Sequence, residues 1–166
     1  MAGGYKKFGP TYNSTPYVRL GYEGFLNGAH KIDATVTTED LAGKFATIGT
    51  AGVKLAGAGG LNAVGLLRED LGDMVNASLK ATFYFRGGEY YVSLARTGVT
   101  AIANIAVGDE ITCDANGKLI KKTKTDGTEK ALGVVTHAGP YTAGNMYANA
   151  GTEANGGDFI GFIMFV

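Results

Sequence analysis

Residues 109–120 read Asp-Glu-Ile-Thr-Cys-Asp-Ala-Asn-Gly-Lys-Leu-Ile, and this stretch indicates the fold class of the chain. Asn116 and Gly117 separate two short apolar runs, and a hairpin loop of this kind needs a glycine that adopts a positive φ. The pattern predicts a strand, a turn and a second strand. Phe45–Ile48 and Gly52–Leu55 show the same arrangement, so we expect a further hairpin there.

Two parts of the chain resemble each other, which bears on the architecture. Thr47–Leu55 matches Thr112–Ile120, and Ala63–Leu67 matches Ala131–Val135 further along the chain. Chance similarity between two glycine-rich hairpins would give such a pattern. A true repeat implies a sheet or barrel built from two related three-stranded units.

Two other stretches support the strand prediction. Phe83–Val92 places aromatic runs on either side of Gly87-Gly88, where both central residues of a tight turn can take a positive φ. We expect the clearest hairpin of the chain there. Phe159–Val166 carries no charged side chain, and such a strand would promote aggregation at an exposed edge. We therefore expect this strand at the centre of a sheet or buried between subunits.

The first 28 residues form a distinct segment. Glycine and proline interrupt any periodic pattern, yet the segment carries aromatic residues at six positions: Tyr5, Phe8, Tyr12, Tyr17, Tyr22 and Phe25. Disordered tails are normally poor in aromatic residues. The segment is either a flexible tail with incidental tyrosines or an extended arm that lays its rings on a neighbouring subunit. We favour the arm, and divide the chain into an arm, residues 1–28, and a β-rich core domain, residues 29–166.

The composition favours an all-β protein. The 166 residues include 27 glycines, three prolines and no tryptophan, which is typical of many tight turns between short strands. We predict a β-barrel or β-sandwich-like core of short hairpins with an extended N-terminal arm and at most two short helices. One candidate helix is the run in which Leu67, Leu71, Val75 and Leu79 recur every four residues, although Gly72 weakens it.

Charge and hydropathy limit the partners that we expect. The 15 basic and 15 acidic residues cancel, whereas a nucleic-acid-binding domain normally carries a basic face. The longest apolar stretch, at the C-terminus, is far shorter than the roughly 20 residues that span a bilayer. The start of the sequence does not have the apolar run of a signal peptide. We therefore expect no nucleic-acid partner and no membrane.

The residues that carry chemistry do not form a catalytic pattern. One cysteine excludes a disulfide framework within the chain and a multi-cysteine zinc site, and two histidines leave little material for a metal site. Cys113 is more typical of a small buried apolar residue than of a nucleophile. Adjacent acidic residues occur at Glu39-Asp40, Glu69-Asp70 and Asp109-Glu110, but neighbours in a strand point to opposite faces. We expect no enzyme activity, no cofactor and no metal.

Residues 106–119, followed by residues 131–135, carry a resemblance to a known family. They read as Val-Gly-Asp, a strand, Asp-x-x-Gly-Lys, a strand, a loop and Gly-Val. This order is similar to that of the small β-rich decoration, or cement, proteins of tailed-bacteriophage capsids, over roughly residues 44–138. The resemblance implies a virion structural protein that binds the outside of an expanded capsid, commonly as a trimer.

From the resemblance we expect a partner in the major capsid protein, a homo-oligomer, and a position on the capsid exterior after synthesis in the host cytoplasm. The candidate contact residues are the six aromatic residues of the arm, because interfaces favour buried aromatic anchors. A head- or tail-fibre module that binds a receptor or glycan is the alternative, with Tyr84, Tyr90 and Tyr91 stacking on sugars. A small hydrolase with scattered polar residues is a further alternative.

Overall fold

A computed structural model of the chain describes residues 18–22, 25–68, 70–71, 80–85, 87–140 and 157–166. The all-β prediction is confirmed, because 43% of the residues lie in strands against 9% in helical turns, and the strands form two antiparallel sheets in a sandwich-like fold. The strands are β1 Val18–Tyr22, β2 Phe25–Lys31, β3 Phe45–Gly49, β4 Gly52–Leu55, β5 Gly65–Leu67, β6 Lys80–Phe85, β7 Glu89–Ser93, β8 Glu110–Cys113, β9 Leu119–Lys121, β10 Gly133–Pro140 and β11 Asp158–Met164. Short 3-10 turns lie at Ala58–Gly60, Leu94–Arg96 and Ile102–Asn104.

The two sheets repeat one arrangement of five strands. The five-stranded sheet has the order β2-β6-β5-β3-β4, and the six-stranded sheet has the order β1-β7-β11-β10-β8-β9. Apart from β1, the second order follows from the first when each strand is replaced by the strand five places later in the chain. We call β2–β6 the first unit and β7–β11 the second unit.

Backbone hydrogen bonds outside the regular pairing recur at matching positions of the two units. In each unit, the turn before the second strand is bound to the fourth strand in both directions. The bonds run from Gly43 N to Leu67 O (2.9 Å) and from Leu67 N to Lys44 O (2.8 Å), and from Gly108 N to Val135 O (2.9 Å) and from Val135 N to Asp109 O (2.9 Å). Both turn glycines have a positive φ, 83° at Gly43 and 92° at Gly108. The repeat is therefore structural, and it extends over five strands instead of the three that the sequence indicated.

Two predicted hairpins are present, one in each unit. β3 pairs with β4, and β8 pairs with β9, in antiparallel register. The second hairpin turns at Gly117, whose φ is 72°. The Asp114 carboxylate accepts the backbone N–H groups of Asn116 (2.8 Å) and Lys118 (2.9 Å), which fixes the turn. The local sequence was sufficient here because the turn satisfies its own hydrogen bonds.

The predicted hairpin at Gly87-Gly88 is wrong. β6 lies in the five-stranded sheet and β7 in the six-stranded sheet, so these strands do not pair with each other. β6 pairs with β2, and β7 pairs with β1. The chain therefore passes from one sheet to the other between β6 and β7. A two-residue hairpin would send Tyr84 and Tyr90 to opposite faces. The bend instead directs both rings between the sheets, with their centroids 4.9 Å apart.

The principal core lies between the two sheets. Its fully buried large side chains come from both units: Phe45 and Leu66 from the first, and Tyr90, Ile111, Leu119, Leu132, Ile160 and Phe162 from the second. A minor core lies on the other face of the five-stranded sheet and contains Ile32, Leu41, Ala46, Val53, Leu67 and Ala81. Because side chains alternate along a strand, β3 and β5 contribute to both cores.

The two units present different faces to the principal core. Ile111 of β8 pairs with Gly133 as Ala46 of β3 pairs with Gly65, so Ile111 and Ala46 are matching positions. Ile111 lies in the principal core and Ala46 in the minor core. The second unit therefore packs against the first through the face that, in the first unit, covers the minor core. The opposite face of the second unit points outward.

The C-terminal strand β11 lies at the centre of a sheet, as predicted. It is flanked by β7 on one side and β10 on the other. Exposure alternates along its end: Phe162 and Met164 are buried, whereas Ile163 is 43% exposed and Phe165, just after the strand, is 47% exposed. The helix suggested by the leucine spacing after Leu67 falls mostly outside the described residues.

Candidate contact surface

The six predicted contact residues divide between the described residues and the remainder of the chain. Tyr5, Phe8, Tyr12 and Tyr17 lie outside the described residues. Tyr22 ends β1 and pairs with Glu89, and Phe25 begins β2 and pairs with Phe85. The division of the chain at residue 28 stays a prediction, although β2 continues across it.

Four apolar residues form a group on the outward side of the second unit, and we call them the outer patch. They are Val107, Val134, Ile163 and Phe165. Val134 and Ile163 are direct cross-strand partners of β10 and β11, so their side chains share one face. Val107, which is 67% exposed, lies in the turn that Gly108 binds to β10. Phe165 donates its N–H to Leu132 O at 2.8 Å, which continues the sheet past β11.

The matching face of the first unit is completely covered. Leu66 pairs with Phe45 and Tyr84 there, just as Val134 pairs with Glu110 and Ile163 in the second unit. Leu66, Phe45 and Tyr84 are at most 6% exposed and lie in the principal core. The outer patch is thus the second-unit counterpart of a buried surface, with no strand of the described residues lying over it.

Acidic side chains border the outer patch. Glu110 pairs with Lys122 at 2.9 Å, so its charge is largely offset. Glu89, the β7 partner of Ile163, accepts the Thr136 hydroxyl at 2.6 Å. No ion pair to Glu89 occurs among the described residues, so its negative charge stands beside the apolar surface. The patch therefore suits a partner that combines aromatic and basic side chains.

Cys113 lies in a position unsuited to nucleophilic chemistry. It is fully buried in the principal core, and its Sγ lies 3.3 Å from the carbonyl oxygen of Gly57. Burial, with a smaller contribution from the nearby Asp114 carboxylate, raises the pKa of the thiol to about 11. Within the described part of the chain, no group of three or more His, Cys, Asp and Glu side chains is arranged to hold a metal ion.

Several acidic side chains from the adjacent pairs take part in ion pairs. Asp40 and Asp70 both bind Arg96, through contacts of 2.8 Å and 3.0 Å. Asp70 also accepts the backbone N–H groups of Leu41 and Ala42, so this cluster fastens a first-unit loop to the segment after β7. Asp109 pairs with Lys121 and Glu110 with Lys122. These carboxylates act as structural anchors.

The three tyrosines proposed for sugar stacking are not exposed. Tyr84 is 6% exposed, Tyr90 is 0% exposed and Tyr91 is 4% exposed. Tyr84 and Tyr90 fill the principal core, and Tyr91 packs against the ring of His137 with centroids 5.5 Å apart. A sugar ring requires an accessible aromatic face, so these residues do not provide the predicted stacking surface.

Sequence analysis missed the outer patch, although one signal was present. When one face of a strand meets water, its outward positions are normally polar. The outward positions at the end of the chain are Gly161, Ile163 and Phe165, which are all non-polar. The sequence alone does not tell which alternate positions face outward. That becomes clear only from the burial of Phe162 and Met164.

No protein-family model matches this chain, and no curated protein sequence matches it. Among the described residues, none of the helical segments is long and apolar enough to cross a membrane. The described residues offer a non-covalent contact surface, the outer patch, on a sandwich-like β fold.

Proposed function

We propose that this chain is a virion structural protein that binds the outside of a phage capsid lattice and stabilises it, as a decoration protein does. The observation that carries the proposal is the outer patch, an apolar surface on an otherwise well-packed, neutral β protein. The resemblance of residues 106–119 and 131–135 to phage decoration proteins supports it. The partners are the major capsid protein and further copies of this chain, as a trimer on the capsid exterior, after synthesis in the host cytoplasm.

Mass action explains how such a protein stabilises a shell without any chemical step. A ligand that binds only the assembled lattice stabilises that lattice in proportion to RT ln(1 + [L]/Kd). A specific contact of ordinary size buries about 800 Å² on each partner. Repetition over a symmetric lattice multiplies the effect, so each single contact can be of modest affinity.

Co-sedimentation with undecorated capsid shells tests the proposal. We compare the full chain with a form that lacks residues 1–17, because removing all 28 residues would also delete β1 and part of β2. We expect the full chain to sediment with the shells and to raise their melting temperature, and the truncated form to bind more weakly. Each free protein is melted separately to show that the core remains folded.

Two isoleucines give a matched pair of surface variants for this assay. Ile163 lies in the outer patch and is 43% exposed, whereas Ile48 lies in β3 of the first unit and is 48% exposed. We expect Ile163→Lys to weaken binding to the shells and Ile48→Lys to leave it unchanged. Failure of the full chain to bind any shell would overturn the proposed function.

A further inference from the structure

We propose that the outer patch of one copy receives the aromatic segment of residues 1–17 from a neighbouring copy of this chain. The inference depends on the oligomeric part of the proposed function, and it is independent of the identity of the shell. It assigns residues 1–17 of a neighbouring copy to the outer patch, so Ile163→Lys weakens shell binding by dissociating the oligomer that binds the shell.

The internal repeat indicates that the outer patch is a surface that another segment covers. At the matching positions of the first unit, Phe45, Leu66 and Tyr84 are covered by an apolar layer from the second unit. The second unit keeps apolar residues at two of those three positions, Val134 and Ile163, and has a charged residue only at Glu110. An exposed apolar surface on two paired strands favours contact with another apolar segment. None of the described strands supplies that contact.

The composition of residues 1–17 complements the outer patch. Tyr5 and Phe8 flank Lys6 and Lys7, so two aromatic rings and two positive charges lie within four consecutive residues. The outer patch offers an apolar strip bordered by the negative charge of Glu89. Aromatic rings contribute large apolar contact area, and lysines beside them complement the carboxylate.

The position of Val18 in the sheet favours a neighbouring copy over the same chain. Val18 begins β1 opposite Val92, whereas the outer patch lies at the other end of β7, where Ile163 pairs with Glu89. Val18, to which residues 1–17 are joined, therefore lies at the end of β1 that is remote from the outer patch of its own copy. Fully extended, the 17 residues before Val18 reach roughly 55 Å, enough for a second copy without the reversal of chain direction that the patch of the same copy requires. A contact of this head-to-tail kind links copies into a ring or an array.

Disulfide trapping between two different variants tests the inference on the free protein. One preparation carries Phe8→Cys and the other carries Val107→Cys, and the two are mixed under oxidised glutathione. Cys113 is buried and does not compete in the folded chain. Ile48→Cys replaces Val107→Cys in the control mixture, because Ile48 is an exposed apolar residue of the first unit.

We expect a mixed disulfide dimer from Phe8→Cys with Val107→Cys, at a rate at least tenfold above the control mixture. Equal rates in the two mixtures would mean random collision and would overturn the inference. A chain that carries both Phe8→Cys and Val107→Cys must also form disulfide-linked pairs. If it forms only an internal disulfide, the segment binds its own chain and the inference is wrong.

Sedimentation velocity supplies a second, independent measurement without cysteines. We expect the full chain to form oligomers that dissociate in the Ile163→Lys variant and persist in Ile48→Lys. A monomeric full chain over the micromolar range would contradict the inference. These experiments contain no shells, so their failure is distinguishable from a failure of shell binding.

Discussion

Replacing Gly117 by alanine should destabilise the protein, because this turn glycine has a positive φ and lies against the backbone of β3. Gly117 has a φ of 72°, a conformation that costs a residue with a Cβ about 1–2 kcal/mol. An added Cβ would also lie 2.5 Å from the carbonyl oxygen of Phe45. The turn must then move away from β3, which weakens the 2.7 Å bond from Phe45 N to Gly117 O. That bond contributes about 1 kcal/mol, so we expect a total loss of about 2–3 kcal/mol.

Two further glycines separate the causes of that loss. Gly127 has a φ of 84° and open space around its Cβ position, so Gly127→Ala carries the backbone cost alone, about 1 kcal/mol. Gly57 has a φ of −76° and open space, so Gly57→Ala should change stability by less than about 0.5 kcal/mol. Urea denaturation gives the three free energies of unfolding. In a chain of this length, the Gly117→Ala loss corresponds to a fall of about 4–12 °C in Tm.

The order of the three free energies of unfolding tests the two causes separately. Equal losses for Gly117→Ala and Gly127→Ala would show that the Phe45 carbonyl does not restrict this turn. No loss in either variant would show that these glycines do not need a positive φ in the folded protein.

Three further predictions concern single side chains. Hydrogen bonds from the Thr35 N–H and then from its hydroxyl lower the pKa of Asp33 to about 2, so its stabilising contribution should be lost as pH falls from about 4 to 2. Urea midpoints should fall less over that range in Asp33→Asn than in the parent, and equal slopes would refute this. Tyr90 has a buried hydroxyl without a hydrogen-bond partner among the described residues. Tyr90→Phe should therefore leave the free energy of unfolding unchanged or raise it by about 1 kcal/mol. A clear loss in urea denaturation would contradict this. Cys113 should react with a thiol reagent at pH 8 only after unfolding, because burial raises the pKa of its thiol; rapid labelling of the native chain would show that Cys113 is accessible.

Sequence patterns predicted those parts of the fold that depend on interactions between residues close together in the chain. The turn at Gly117 closes through Asp114, three residues earlier, and both partners are visible in the sequence. The bend at Gly87-Gly88 has the same local signals as a hairpin. Its true geometry depends on whether β7 pairs with β6 or with β1, which lies about 70 residues away in the sequence. No local pattern carries that information.

The candidate contact surface was predicted incompletely for a related reason. The aromatic segment could be recognised from composition alone, because aromatic residues are unusual among glycines and prolines. The outer patch is formed by Val107, Val134 and Ile163, which come from three separate parts of the chain. Their exposure follows from which face of the second unit meets the first. That choice is a property of tertiary packing.

The packing of the two units also bears on whether whole molecules can stack on each other through their sheets. When equivalent units stack front to back, the exposed face of the last unit can bind a further unit. Such contacts generate open filaments unless the terminal surfaces differ. At the first end, Leu41, with partly buried Val36 and Leu71, closes the minor core. At the other end, the Glu110–Lys122 ion pair introduces charge where the first unit has the buried Phe45. These two differences oppose direct sheet-on-sheet stacking of further copies, so a contact between copies must use another part of the chain.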